Sequence, residues 1–304
     1  VLAVFGPTAT GKSALAHAVA VELAGEVIVA DPFQRYRGLE IAADGPCAAD
    51  RAQVRYHAVG DLDLAEDSSA GTFAALAHAV IDQVAGSGGV PIVAGGTGLY
   101  VRAALTDMAM RPAPPAQVRE WAEALSTDTV AAMEELEARD PAAAAAIDGA
   151  NPRRMARALE RAAIGEPADG GGDIWSTPFR RPAVVVGITR PREVIHGLIA
   201  SRVRREIDDG LVAELEAALD RADLARGPGQ VIGMREVAAM RSGEMDPSAL
   251  EEALNIRTRR LARMQDTWMR KMAPDVMIDL GDGPATDGVA RVVAEWRRAR
   301  GGVG

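Results

Sequence analysis

The chain has 304 residues, 34 Lys and Arg against 43 Asp and Glu, a formal charge of −9, and the 48% apolar and 25% charged content of an ordinary globular protein. That length suits one large domain or two modest ones with a sizeable core, and the acidic balance excludes a uniformly basic nucleic-acid coat, though not a local basic groove. A lone cysteine, Cys47, excludes an internal disulfide and is expected to be a small, buried and inert side chain; no apolar run approaches the ~20 residues a membrane span requires.

Val1–Phe5 is a short apolar run that enters Gly6 without a preceding basic region, so it reads as a first strand, not a signal peptide, with the cytoplasm as the default compartment. Glu26–Ala30, Val90–Ala94, Ala183–Ile188 and Asp275–Leu280 read as four further strands. Ala- and Leu-rich helical stretches such as Lys12–Ala24 and Thr72–Ala85 alternate with the first three. Continuous apolar strands alternating with helices predict a parallel sheet covered on both faces.

Between Arg111 and Arg161 the pattern is helical only, punctuated by Pro112, Pro114, Pro115, Pro141 and Pro152. Residues 109–179 therefore read as a helical insertion with a Gly170–Gly172 return loop, set into a core of residues 1–108 and 180–304. Long helices are expected over Glu193–Arg221, bent near Gly210, and over Pro247–Met272. In the second, Leu261, Met264, Trp268 and Met272 form an apolar stripe expected to be core, and Arg259, Arg263 and Arg270 fall opposite.

The first strand runs into Gly6-Pro7-Thr8-Ala9-Thr10-Gly11-Lys12-Ser13, which fits G-x-x-x-x-G-K-[ST]. Its glycines let backbone N–H groups wrap an anion, and the following helix directs its positive dipole end at the same place. Lys12 would reach the terminal phosphates and the Ser13 hydroxyl would ligate Mg²⁺. Lys12 is one of only two lysines among 34 cations, so a compact point charge is kept where phosphate chemistry favours it. The α/β class is thus a P-loop NTPase-like parallel sheet with flanking helices. Hydrolysis, phosphoryl transfer and displacement of pyrophosphate all use this cradle. Asp31 ends the second strand at the same sheet edge, where it could be a metal partner, a general base or a turn residue before Pro32.

Six elements in order resemble one family, the tRNA dimethylallyltransferases. Gly6–Ser13 is similar to its G-P-T-A-S-G-K-T loop, and Asp31-Pro32-Phe33-Gln34-Arg35-Tyr36-Arg37-Gly38 to its D-S-x-Q-x-Y-x-G segment. Gly95-Gly96-Thr97-Gly98-Leu99-Tyr100 matches G-G-T-G-L-Y, and Asn151–Glu160 resembles N-D-P-x-R-x-x-R-A-L-E, one residue short. Gln230–Glu236 is similar to Q-x-I-G-Y-K-E, and Thr258–Trp268 to T-R-x-Y-A-K-R-Q-x-T-W.

The resemblance implies transfer of a dimethylallyl group from dimethylallyl diphosphate to N6 of the adenosine beside the anticodon (A37) in tRNA, with release of pyrophosphate. It implies diphosphate on Gly6, Pro7, Thr8, Ala9, Thr10, Gly11, Lys12 and Ser13, Mg²⁺ at Ser13, Asp31 as base, and Thr8, Lys12 and Arg202 at the reacting diphosphate. It implies tRNA contacts from Asp31, Pro32, Phe33, Gln34, Thr97, Arg119, Arg153, Arg154, Arg157, Gln230, Gly233, Arg235, Arg259, Arg263 and Arg270. The partners would be a tRNA anticodon loop and dimethylallyl diphosphate, without a membrane, and the protein is expected to be a monomer. An adenylate isopentenyltransferase, a P-loop small-molecule kinase and a non-catalytic tRNA-binding paralogue remain alternatives.

The chain departs from the pattern at Pro32, where the family has serine, at Ala42-Ala43-Asp44-Gly45-Pro46 in place of G-T-A-K-P, which loses a lysine, and at Gly60, which replaces an aspartate. Charge is also segregated: Asn151–Arg161, Phe179–Arg205 and Ile256–Lys271 carry +3, +6 and +5, against −23 on the remaining chain. Such segregation predicts a basic surface within an acidic protein.

Overall fold

The structure, a computed structural model, describes residues 1–108, 114–149, 151–166 and 174–301. The Gly170–Gly172 loop and the side chain of Arg153 lie outside the described residues. In chain order the strands are β1 (Leu2–Phe5), β2 (Glu26–Val29), β3 (Tyr56–His57), β4 (Pro91–Gly95), β5 (Val184–Thr189) and β6 (Val276–Asp279). The α-helices are α1 (Lys12–Leu23), α2 (Ala48–Gln53), α3 (Ala70–Gly86), α4 (Gly98–Leu105), α5 (Ala116–Leu125), α6 (Thr129–Arg139), α7 (Pro141–Ala146), α8 (Pro152–Ala163), α9 (Arg192–Asp208), α10 (Leu211–Leu219), α11 (Met234–Arg241), α12 (Leu250–Met272) and α13 (Val289–Gly301).

One wholly parallel sheet has the order β3-β2-β4-β1-β5-β6. Every residue of β1 is buried, as a strand covered on both faces requires. β1 lies between β4 and β5, so the chain leaves it at the point where the strand order reverses, and the loop after it faces the ligand-binding crevice of such sheets. α1 packs Leu15, Ala16, Val19 and Ala20 against the sheet; the two alanines allow close approach. The five expected strands are present within a residue or two, and a sixth, β3, is added at the edge. Its two residues pair with Val27 and Ile28, and His57 Nε2 sits 2.6 Å from a Glu26 carboxylate oxygen.

The chain divides into two compact units, one of Val1–Met108 and Pro178–Gly304, the other of Ala109–Thr177. The second unit has its own core, in which Ala122, Ala132, Leu136, Met155 and Leu159 are buried. Its helix starts carry their own caps: Asp128 accepts from the amides of Val130 and Ala131, and Asp140 from that of Ala143 beside Pro141. In the first unit a short neck joins the flanks of this insertion. Thr106 pairs antiparallel with Phe179, the Arg180 amide donates to the Leu105 carbonyl at 2.8 Å, and the Arg102 guanidinium lies 5.1 Å from the Phe179 ring centroid. Arg180 and Arg181 both bind Asp82, and their hydrogen bonds hold its pKa down at about 2.

Three expectations are corrected. Cys47 is exposed, not buried; it caps α2, where its amide donates to the Asp50 carboxylate at 3.1 Å. On α12 the buried face runs through Leu254, Asn255, Thr258, Ala262, Gln265, Met269 and Met272. Of the expected core stripe only Met272 is buried; Leu261 and Trp268 are half-buried and Met264 is exposed. The expected basic surface is in part neutralised: Arg204 pairs with Glu251, Arg205 with Asp44, Arg257 with Glu236, Arg259 with Glu252 and Arg270 with Asp266. Among the described residues, Arg260, Arg263 and Lys271 on α12 are exposed and have no carboxylate partner.

Candidate active site

The phosphate loop is shaped by its backbone. Ala9 and Gly11, at φ 64° and 89°, pass through left-handed conformations, which turn successive N–H groups toward a common centre. At position 6 a Cβ would come within 2.7 Å of the Ile188 carbonyl oxygen, so only glycine lets the loop lie this close to β5. The Thr10 hydroxyl donates to the Pro7 carbonyl at 2.8 Å and closes the turn. Arg190, at the end of β5, donates to the Thr10 carbonyl at 2.9 Å and to the carbonyls of Gly281 and Gly283 at 3.0 and 2.8 Å, bracing the loop from behind.

A cleft of about 70 Å³ lies above this edge, lined by Thr8, Lys12, Ser13, Asp31, Phe33, Gln34, Asp44, Arg202, Glu206, Val231, Ile232, Leu261 and Gln265 among others. Lys12 reaches back to the Pro7 carbonyl at 3.5 Å. Burial, with Arg202 close by, lowers its pKa to about 8. Asp31 follows β2. Its Oδ1 accepts the Phe33 amide at 2.9 Å, an Asx turn that spans Pro32 and needs no N–H from it. The Asp31 carboxyl is pushed above its ordinary range by burial, which outweighs the Phe33 amide, Lys12 and Arg202.

Arg202 projects from α9 and donates through Nη1 to the Thr8 hydroxyl at 2.8 Å and through Nε to Glu206 at 2.6 Å. Its Nη1 also lies 3.1 Å from Asp44 Oδ2. Burial works against the guanidinium charge, but Asp44 and Glu206 prevail and raise its pKa; burial likewise raises that of Glu206. From the opposite wall Gln265 accepts the Thr8 amide at 2.7 Å. Gln34 donates to the Asp44 carbonyl at 3.4 Å, and its own backbone carbonyl accepts the Gly60 amide at 3.0 Å.

The cleft therefore unites the phosphate loop, Asp31, Phe33, Gln34 and Arg202, while Pro32 sits half-buried in the turn between Asp31 and Phe33. Thr97 opens α4 beside Gly96 and does not line the cleft. Gln230 precedes the lining residues Val231 and Ile232. Gly233 has a structural reason to be glycine: φ is 105° and a Cβ would meet Leu215 Cδ1 at 2.6 Å. Arg235 is exposed on α11, Arg263 and Arg270 are exposed on α12, and Arg259 is half-buried there. Arg119 on α5 and Arg154 and Arg157 on α8 belong to the other unit, where Arg157 donates to Glu160 at 2.6 Å.

Arg190, Asp44, Glu206 and Gln265 were not singled out from sequence. Gln265 stood inside the Thr258–Trp268 motif, and Asp44 inside the departing segment 42–46, which were the available signals. For a divalent metal, the Ser13 hydroxyl and Asp31 carboxylate offer hard oxygen donors in the cleft. Among the described residues no three His, Cys, Asp or Glu side chains form a closed cage. An ion held mainly by phosphate oxygens and water fits such a sparse donor set.

A family model described as IPP transferase matches residues 34–272. The chain belongs to the IPP transferase family. The tRNA dimethylallyltransferase of Anaeromyxobacter dehalogenans (strain 2CP-C) is 41% identical over 274 residues, 88% of this chain and 91% of that protein. That of Nocardia farcinica (strain IFM 10152) is 36% identical over 274 residues, 89% of this chain and 87% of the relative. The crystal structure of the full-length tRNA isopentenylpyrophosphate transferase from Bacillus halodurans superposes with a TM-score of 0.73 at 30% identity, covering 98% of this chain and 95% of its own. The parallel sheet with flanking helices is thus the fold of this transferase family.

Proposed function

We propose that the protein transfers the dimethylallyl group of dimethylallyl diphosphate to N6 of the anticodon-adjacent adenosine (A37) in tRNA. The observation that carries this reading is the cleft itself, where a phosphate loop, a buried carboxylate and a buried arginine face one another. The substrate's diphosphate would lie on Gly6–Ser13, in reach of Lys12 and Arg202. As N6 attacks the allylic C1, the N–C bond forms, the C–O bond to the diphosphate breaks, and the amine must lose a proton. Asp31 is suited to take it: its carboxylate lines the cleft, oriented by the Phe33 amide.

Lys12 and Arg202 would stabilise the charge that builds on the leaving oxygens. The Thr8 hydroxyl accepts from Arg202, so its own proton can be donated to the same oxygens. Mg²⁺ bound at Ser13 would offset part of the diphosphate charge. Phe33 and Gln34 would meet the adenine, which must leave its stack to enter a site this enclosed. The insertion, with Arg119, Arg153, Arg154 and Arg157, the exposed Arg235, Arg263 and Arg270, and the half-buried Arg259 would contact tRNA phosphates. Among the described residues no helix is long and apolar enough to cross a membrane. A tRNA substrate would place the reaction in the cytoplasm.

Incubation with Mg²⁺, labelled dimethylallyl diphosphate and either tRNA or AMP tests the reading. Label in an adenosine of digested tRNA is the expected result. Label in AMP alone would indicate an adenylate isopentenyltransferase, and tRNA binding without label a non-catalytic protein.

A further inference from the structure

Asp44 stands where two spaces meet. On one side is the cleft of the phosphate loop, Asp31 and Arg202. On the other side lies a basin of about 680 Å³, lined by Glu40, Cys47, Arg51, Arg205 and Asp209 among others, and both spaces include Asp44 and Glu206. A diphosphate seated on the phosphate loop would compete with Asp44 for the guanidinium edge of Arg202.

The Asp44–Arg202 contact is the longer of the two ion pairs that Asp44 makes. Asp44 Oδ2 lies 3.1 Å from Arg202 Nη1, whereas Oδ1 takes a shorter hydrogen bond, 2.7 Å, from Arg205 Nη2. Arg202 and Arg205 are three residues apart on α9 and so lie on one helix face. The carboxylate can leave Arg202 while remaining on Arg205, which is exposed toward the basin. Arg202 keeps its Glu206 and Thr8 contacts throughout, so its guanidinium stays in place as its outer edge is freed. Asp44 is itself held at φ 49°, with its carbonyl on Gln34, so motion of the side chain leaves the backbone where it is.

Resting on the proposed use of this cleft for a diphosphate, we infer that Asp44 is a displaceable counter-ion of Arg202, a positioning residue that sets the affinity for the prenyl donor. In the empty site it occupies the guanidinium edge that the diphosphate takes, and substrate binding exchanges one anion for another.

Isothermal titration with inorganic pyrophosphate and Mg²⁺ tests this. Asn tolerates the left-handed backbone as Asp does, so Asp44→Asn removes the charge while preserving the fold. The expected result is pyrophosphate binding about five- to tenfold tighter than in the wild type, the scale of one like charge removed at short range near water. The KM for dimethylallyl diphosphate should fall in proportion and the KM for tRNA should not change, while Asp44→Glu, which keeps the charge, restores wild-type affinity. Damage to the fold would weaken binding, so the sign separates the two. Unchanged or weaker binding by Asp44→Asn, with binding abolished by Lys12→Ala and Arg202→Ala, would overturn the role of Asp44 alone. Wild-type protein that does not bind pyrophosphate would overturn the diphosphate site, and this inference with it.

Discussion

The Thr8 amide donates to the side-chain oxygen of Gln265 at 2.7 Å across 257 residues of sequence, so the tip of the phosphate loop is hung from the middle of α12. Gln265 is only 2% exposed, and the amide it satisfies is out of reach of bulk solvent. Gln265→Leu should leave the buried amide unsatisfied at a cost of about 1–3 kcal/mol, visible as a lower melting temperature, and weaken pyrophosphate binding. Gln265→Glu keeps the acceptor and should retain more stability while still binding diphosphate poorly. Equal stability of wild type and Gln265→Leu would show the contact to be idle.

Asp31→Ala should lower transfer by about 10²- to 10⁴-fold, the range of a missing general base, while pyrophosphate binding persists. Transfer near the wild-type rate would remove Asp31 from the base role. Burial raises the Asp31 pKa, so the acid limb of kcat/KM should lie above the ordinary carboxylate value of 3.8. Activity rises with pH through that limb, because only the carboxylate accepts a proton.

Lys12 gives the opposite limb. Its pKa is lowered to about 8 by burial and by Arg202, so the empty site loses this charge as pH rises through 8. A bound diphosphate favours the ammonium and should draw a proton back. At pH 9, titrations in two buffers of different ionisation enthalpy should report uptake of up to about one proton, and at pH 6.5 Lys12 should contribute none. For stability the sign also follows: Lys12 contributes fully above its unfolded value of 10.5, and that contribution is lost as pH falls through about 8. Lys12→Met should abolish the uptake; uptake that survives would assign the proton elsewhere.

The exposed, unpaired cations of α12 make a separable prediction. Arg260→Ala with Arg263→Ala should weaken tRNA binding and reduce the salt slope by about 0.7–0.9 for each phosphate that is no longer neutralised, with pyrophosphate affinity unchanged. An unchanged slope would direct the search for RNA contacts to other faces.

Gly233→Ala should destabilise the protein by about 1–3 kcal/mol in urea titration, since the residue takes φ 105° and its Cβ would press on Leu215. Stability equal to wild type would mean that α11 shifts without cost.

The strands were legible because a sheet buried on both faces writes itself as unbroken apolar runs, as in Leu2–Phe5. β3 was not, because two residues held by pairing to Val27 and Ile28 carry no period. α12 misled for a more interesting reason. Its buried face carries Thr258 and Gln265, polar residues that line the cleft with the half-buried Leu261, while Met264 is exposed and Trp268 half-buried. A count of apolar spacing therefore selected the wrong face where the site makes its own demands. Lys12 and Asp31 were readable from local motifs, but the roles of Asp44 and Arg190 depend on contacts across more than 150 residues.

The neck at Thr106 and Phe179 makes the insertion a side branch of the chain. Entry and exit are neighbours on two antiparallel segments, which a short hairpin turn could join directly. Cutting the branch there would leave all six strands, their parallel register and the phosphate loop on one continuous thread. Among the described residues, no strand of the sheet and no residue of the phosphate loop lies in the branch.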